Sequence, residues 1–270
     1  MTDPRAPRGE YALTLSEAEV ERYRMMAEAA HADEADLWQL AGIVAGARIA
    51  DVGCGPGAML PALSEAVGPM GRVLAIDGDP PSVAAAQALV NAARLDNVSV
   101  RAGRAEDTGI EPGSLDVVMM RHVLAHNGPR EQELTDHAAS LLRPGGCLFL
   151  VDADGYAIRV RPSDPDIDDL MFRYQQYLAM NGNDFMTGLR LDSRLQAAGL
   201  EVLAFRGRYN IIAMRAGLRP PAWAARERMV AAGVATAADV ARWDTALHAA
   251  DEHPPTIFAP VFAAVGRKPG

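Results

Sequence analysis

Asp51-Val52-Gly53-Cys54-Gly55-Pro56-Gly57-Ala58 is the stretch that decides how this chain folds. It follows the β-prone segment Ala47-Arg48-Ile49-Ala50 and leads into a helical pattern through Leu60, Leu63 and Val67, stopped by Gly68-Pro69. A strand that turns on glycines into a helix is the first half of a βαβ unit. Glycines there permit φ > 0 and let a ligand approach the backbone closely.

The unit recurs downstream. Arg72-Val73-Leu74-Ala75-Ile76-Asp77 predicts a second strand, and Ser82 to Arg94 an Ala-rich helix. Val98-Ser99-Val100-Arg101-Ala102 predicts the third strand and Leu115-Asp116-Val117-Val118-Met119-Met120 the fourth. A helix after Pro129 carries Leu134, Leu141 and Leu142, and Gly146-Cys147-Leu148-Phe149-Leu150-Val151 predicts the fifth strand. Near-continuous apolar runs are the pattern of strands buried on both faces. Their alternation with helices implies right-handed crossovers and a parallel sheet. The fold class is therefore α/β, open and doubly wound.

Two stretches leave the alternation. Residues 153–186 hold Arg161-Pro162-Ser163-Asp164-Pro165 and then a helical pattern through Leu170, Tyr174, Tyr177 and Leu178. Residues 215–256 hold Pro220-Pro221 and helical patterns from about Ala222 to Ala232 and Ala237 to Ala250. Between them lie a helix near Asp192–Ala198 and a strand Val202–Ile212. A last strand runs from Ile257 to Val265, where Pro254, Pro255 and Pro260 point to an edge position or a late start. Ahead of everything, Ser16 to Gly42 reads as a helix, with Ser16 as its cap and Glu19 as capping-box partner.

Composition limits the classes of function. The 270 residues are 49% hydrophobic and 23% charged, as in a folded globular protein. Lys plus Arg number 26 against 35 Asp plus Glu, a net charge of −9, and no basic run occurs; nucleic acid is not expected as the main partner. No apolar run reaches the roughly 18 residues of a membrane span. Met1–Glu10, with Arg5 and Arg8 between prolines, lacks the apolar segment of a signal peptide. Cys54 and Cys147 fall inside core elements and read as reduced thiols. The expectation is a cytoplasmic protein, monomer or homodimer, without a bound metal. The chain, 1–270, reads as one domain. It comprises an N-terminal helical lid at 1–45, a cofactor-binding core at 46–152, cap insertions at 153–186 and 215–256, and the rest of the core at 187–214 and 257–270.

Spacing alone leaves two cofactors open. Gly53, Gly55 and Ala58 satisfy the loose dinucleotide pattern, and Asp77 fits the acid that pairs with ribose hydroxyls. A dinucleotide would set its pyrophosphate at this turn, beside the carboxylate of Asp51. A cofactor with a positive centre and no phosphate would gain from Asp51 instead. More acids follow the second and third strands at Asp79, Glu106 and Asp107.

Ile49-Ala50-Asp51-Val52-Gly53-Cys54-Gly55-Pro56-Gly57 closely resembles the first motif of class I S-adenosylmethionine-dependent methyltransferases. Four more segments resemble that family's motifs in its order: Val73–Asp77, Gly103-Arg104-Ala105-Glu106-Asp107, Leu115–Val118 with Arg121-His122-Val123-Leu124-Ala125-His126, and Leu142-Arg143-Pro144-Gly145-Gly146. The resemblance covers residues 40–152 well. It implies a seven-stranded sheet whose last strand inserts antiparallel, with helical cap insertions, and S-adenosyl-L-methionine as cofactor. It implies that Gly53, Gly55 and Gly57 line the methionine part. Asp51 and Cys54 are counted with them as cofactor-binding residues, Cys54 as a small filler of the turn rather than a reactive thiol. Asp77 would take the ribose hydroxyls with Gly78 beside it, Ala105 and Glu106 would flank the adenine, and Arg121 would face the methionine end through its backbone.

For transfer to a hydroxyl or protonated amine a base is needed, and His122 and His126 are the candidates. At i and i+4 they share a face if the segment is helical. The spacing also suits a metal, but no third ligand is evident. Asp152 and Asp154 beyond strand five, with Tyr156, Tyr209 and Arg159, are candidates for the acceptor pocket. Phe172, Tyr174, Tyr177, Phe185 and Trp223, with Met171, Met180, Met186 and Met214, either line that pocket or form helix core. The expected reaction is methylation of an O, N or C nucleophile of a small, partly apolar molecule, with the helix around Tyr23 as a lid. Rival readings are a nicotinamide-dependent oxidoreductase and a non-methylating relative that holds S-adenosylmethionine as a ligand.

Overall fold

The computed structural model describes residues 17–270. Ser16, the expected cap, and the Pro-rich stretch Met1–Glu10 lie outside the described residues. Five strands, β1 (Arg48–Val52), β2 (Arg72–Asp77), β3 (Val98–Ala102), β4 (Leu115–Arg121) and β5 (Leu142–Ala153), pair in parallel in the order β3-β2-β1-β4-β5. Three more, β6 (Arg159–Arg161), β7 (Glu201–Ala213) and β8 (Thr256–Arg267), complete an open sheet. The chain reverses strand order between β1 and β4, which opens a crevice at the strand carboxyl ends.

β8 is the antiparallel insertion that the resemblance implies, and not the edge strand that its prolines suggest: it runs between β5 and β7 and begins at Thr256. β7 pairs with its whole length, so β5 and then the three-residue β6 share its other side. Pro260 is tolerated there for a local reason. Its carbonyl accepts from Asp154 N–H, so its missing donor also faces the gap between β5 and β6, where no ladder bond is lost.

The strands alternate their side chains between two cores, which is why they read as unbroken apolar runs. Ile49, Val73, Val117, Met119, Phe149 and Val151 face α2 (Ala35–Ala41), α3 (Leu60–Val67) and α4 (Pro80–Ala93). Ala50, Val52, Val118, Met120, Leu148 and Leu150 face α5 (Glu131–Leu141) and α7 (Leu191–Ala197). α4 starts two residues earlier than Ser82, because Pro80 and Pro81 suit a first helical turn and Asp79 caps it by accepting from Ser82 N–H. The Arg143–Gly146 turn interrupts β5 itself: Leu115 pairs with Leu142, and the next pair is Val117 with Cys147.

The N-terminal helix is two helices, α1 (Glu17–Asp33) and α2, separated at Glu34. The insertions form α6 (Pro165–Met180), α8 (Pro221–Ala224), α9 (Arg226–Ala231) and α10 (Ala237–Ala249). They build a third core of their own, with Ile167, Leu170, Tyr174, Leu178, Met229, Trp243 and Leu247. Trp243 is fully buried and donates its indole N–H to Asp169 at 2.9 Å. Among the described residues no helix is long and apolar enough to cross a membrane. Trp243→Ala should destabilise this cap by about 3–5 kcal/mol. Hydrogen exchange should show α6 and α10 losing protection while β1–β5 keep theirs.

Candidate active site

The glycine loop is fixed to the neighbouring strand before any ligand arrives. Gly53 and Cys54 both donate backbone N–H to the carbonyl of Ile76, at 2.7 and 3.0 Å. Gly53 has φ +79°, and a Cβ there would stand 2.4 Å from Val123 Cγ2. Gly57 has φ +85°, and a Cβ would crowd Leu60 and Ala86. The turn therefore needs glycine both for conformation and for the close meeting of β1, α3 and α4.

Asp77, at the end of β2, spans the loops on either side. Its Oδ2 accepts from Gly55 N–H at 2.7 Å and its Oδ1 from Asp79 N–H at 2.9 Å. A carboxylate has about four acceptor positions, so capacity for further donors remains. A Cβ on Gly78 beside it would stand 3.5 Å from the Gly103 carbonyl oxygen, an ordinary contact. Burial holds the Asp77 carboxyl above its usual range despite these bonds.

Asp51 points inward. It is 2% exposed, and burial, opposed by Arg121 and reinforced by Asp77, pushes its pKa up to about 7. The Cys54 thiol is pushed up as well, first by burial and then by Asp51 and Asp77, so it is no ready nucleophile. Cys54 and Cys147 are both free thiols. The loop thus closes around a buried carboxyl group, Asp51, and a half-buried one, Asp77, with the Arg121 guanidinium acting on Asp51.

That guanidinium is already engaged. Arg121 donates from both Nη atoms to Glu34, which is 0% exposed and also accepts from Arg208 Nη2 at 2.9 Å. Neither Glu34 nor Arg208 was expected. Asp33, Glu34 and Asp36 read as a solvated run, yet Glu34 lies on the stripe of Ala27, Ala30, Leu37, Trp38 and Ala41, all buried. That spacing is the signal that marks it. The inward turn of Glu34 coincides with the break between α1 and α2.

α1 lies across the loop. Tyr23 Cε1 comes within 4.0 Å of where a Cβ on Gly55 would be. The Arg22 guanidinium stacks on the Tyr23 ring, 4.7 Å from its centre.

His122 and His126 do not share a helix face. His122 adopts φ +55° directly after β4, and only Leu124–His126 form a 3-10 turn. A bulky residue in the left-handed region is an outlier. The two imidazoles meet instead around Asp152. His122 Nδ1 is 3.7 Å from Asp152 Oδ1, an electrostatic contact rather than a hydrogen bond. Asp152 is anchored by the N–H groups of Ala125 and Ala153, at 3.1 and 3.0 Å. Burial holds His126 below its ordinary value; Asp152 opposes this, while His122 and Arg22 add to it. At neutral pH His126 is the uncharged form, able to accept a proton.

The other expected residues are scattered. Ala105 packs against the α5-side core, while Glu106 pairs with Arg104 and with Arg130, the latter at 3.1 Å. Asp154 uses its carboxylate on Tyr156 N–H. Tyr156 is exposed with its ring edge-on to Phe185, Arg159 is exposed, and Tyr209 is exposed on edge strand β7. Tyr177, Phe185, Trp223 and Met171 pack on the insertions' own core around Tyr174, while Phe172, Met180 and Met186 are exposed. Met214 lines a cleft with Leu218, Leu247 and Ile257, among residues none of which belongs to β1–β5. Among the described residues no group of three or more His, Cys, Asp or Glu is placed to hold a metal.

Comparison with known proteins gives the same region prominence. A family profile described as a methyltransferase domain matches residues 49–146. The chain is 41% identical over 105 residues to nocamycin O-methyltransferase of Saccharothrix syringae, covering 39% of this chain and 37% of that protein. It is 42% identical over 113 residues to a ubiquinone biosynthesis O-methyltransferase of Xanthomonas campestris pv. campestris, covering 39% of this chain and 42% of that protein. The chain therefore spans less than half the length of these curated relatives. In fold it resembles the crystal structure of a Bacillus halodurans protein described as a putative methyltransferase. The TM-score is 0.59 at 18% identity, over 88% of this chain and all of that one.

Gly53→Ala should lower stability by roughly 1–2 kcal/mol from backbone strain and a further ~1–3 kcal/mol from overpacking against Val123. In urea titrations, adding Val123→Ala should recover only the second part.

Proposed function

From a chain whose residues 49–146 are a methyltransferase domain of the class I S-adenosylmethionine-dependent family, we propose an enzyme that methylates a small, partly apolar acceptor. The observation that carries the reading is the pair of carboxyl groups at adjacent strand ends around the glycine loop, Asp51 buried and Asp77 half-buried. Such a pocket repels a pyrophosphate and favours a positive centre. That disfavours the nicotinamide reading and fits S-adenosylmethionine, which carries a sulfonium, an α-amino group and a ribose diol. When bound, this cofactor supplies the electrophilic methyl group.

The chain's own residues do the rest. Gly53, Gly55 and Gly57 let the backbone approach the methionine part, and Asp51 offers it negative charge. Asp77 has remaining acceptor positions for the ribose hydroxyls. Gly78 lies beside it, and Ala105 and Glu106 stand on the adenine side. Tyr23 on α1 covers the loop and excludes water from it. His126, neutral at pH 7, takes the proton of the acceptor, with Asp152 fixed by backbone donors to stabilise the imidazolium. His122, held in an unusual conformation at the same carboxylate, faces the same task. An oxygen nucleophile is the favoured acceptor atom: a hydroxyl needs such a base, and both named relatives are O-methyltransferases. Asp152, Tyr156, Tyr177 and Tyr209 remain the proposed acceptor-side residues, with the cap insertions closing over them.

Calorimetry with S-adenosylmethionine and with NAD tests the cofactor. Binding of the first alone is expected, and binding of NAD alone would overturn the reading. Asp77→Ala should weaken S-adenosylmethionine binding at least about tenfold, since it removes an acceptor for two hydroxyls. Unchanged affinity would remove Asp77 from the ribose role. Production of S-adenosylhomocysteine with a methylated acceptor separates this enzyme from a non-methylating relative. His126→Ala should lower turnover more than cofactor affinity and abolish the acid limb of the pH–rate profile. A profile unchanged in shape would make His126 structural.

A further inference from the structure

We propose that Glu34 is a positioning residue for the cofactor site: buried at the break between α1 and α2, it shares Arg121 with Asp51 and thereby sets the charge that the glycine loop presents to a cationic ligand. This rests on the cofactor reading above and adds a control point outside the loop.

The geometry supplies the link. Asp51 pairs with Met119 across the β1–β4 ladder. Arg121 stands two residues beyond Met119, on the same face, so it is the diagonal neighbour of Asp51. From the other side Arg121 is bonded by Glu34, and Glu34 by Arg208 of β7, whose Nε lies 3.7 Å from Asp33. Glu34 joins α1 to α2: Trp38 N–H donates to its carbonyl, and its own N–H donates to the Ala30 carbonyl. A buried carboxylate with two guanidinium partners is fixed in place, and removing either side leaves an uncompensated charge.

The groups that bear on Asp51 are few. They are Asp77 on β2, Cys54 in the loop and Arg121 on β4, with Glu34 and Arg208 behind Arg121. Asp79 lies beyond Asp77, while Arg22 and Tyr23 approach from α1. With an Asp51 pKa of about 7, affinity for a cation rises with pH up to that region and levels above it. The sign follows from linkage: a bound cation favours the ionised carboxylate, so binding releases a proton at low pH. Removing the Glu34 charge makes the surroundings of Asp51 more positive. Removing the Arg208 charge makes them more negative. The two changes must move Asp51 in opposite directions, whereas loss of packing would weaken binding in both.

The experiment is calorimetry of S-adenosylmethionine and S-adenosylhomocysteine from pH 5.5 to 8.5 on the wild type, Glu34→Gln and Arg208→Gln. The two ligands differ in the sulfonium charge, so the ratio of their affinities reads the local potential. Glu34→Gln is expected to lower that ratio and shift its pH midpoint down. Arg208→Gln should raise the ratio and shift the midpoint up. Each change should be roughly three- to tenfold at pH 8. Arg208 is only half-buried, so its variant reports even if Glu34→Gln fails to fold. Equal ratios in all three proteins, or a fall in both variants, overturn the proposal while leaving the cofactor assignment standing. A wild type that binds neither ligand overturns both.

Discussion

Two carboxyl groups, one buried and one half-buried, stand at the ends of adjacent parallel strands, and the site is arranged around that constraint. Removing a carboxylate from water is unfavourable unless it is paired, bonded or protonated. Asp77 is stabilised by two backbone N–H groups, from the loops before and after it. Asp51 accepts no such bond from the described residues and responds by holding its proton up to about pH 7. The backbone could lie here only because Gly53, Gly55 and Gly57 take positive φ and pack without a Cβ. A pocket of this kind is electrically incomplete: it is poised for a ligand that brings positive charge, and bringing one restores the ionised state of Asp51.

The same constraint reaches outward. Arg121 is the cation nearest to Asp51 on the sheet, but its donors are directed to Glu34. Glu34 in turn marks the place where α1 gives way to α2. Under the lid role proposed for α1, that helix and the charge inside the site are linked through one guanidinium. A lid attached by packing alone would be indifferent to what the loop binds; one attached through a shared cation would not be.

How much of this was legible in the sequence follows from how local each feature is. β1 to β5 and their helices were read from continuous apolar runs, since each strand feeds Ile49-type and Ala50-type residues to opposite cores. The glycine loop was located, but its ligand was not decided by spacing, because Asp51 might have pointed away. Only its burial gives it electrostatic weight. The prolines pointed β8 to an edge or a late start, while the resemblance implied an antiparallel insertion; a gap in the neighbouring ladder, invisible to a linear reading, lets Pro260 sit in that inserted strand. Glu34 was missed because a carboxylate in an acidic run reads as solvated, and its partners lie 87 and 174 residues away. His122 and His126 would share a helix face only if their segment were helical, and at His122 it is not. They are not one helix face, yet they meet at Asp152, a residue donated by another strand.

The acceptor side is harder to read for a physical reason. The cofactor half of the crevice comes from consecutive βα loops, so its residues lie in one stretch, 49–146, where the family profile also matches. The acceptor half has no such contiguity. Asp152 comes from the end of β5 and His122 and His126 from the segment after β4, while the cap is built from two insertions about 30 residues apart. Many of the cap's aromatics are used to stabilise the cap itself, as Trp243 and Tyr174 show. An aromatic-rich insertion is therefore weak evidence of an aromatic pocket: helices added to the edge of a sheet must first bury one another. In the proposed function the acceptor is selected less by the cap's own side chains than by the His–Asp cluster, which favours an acceptor with a proton to give up.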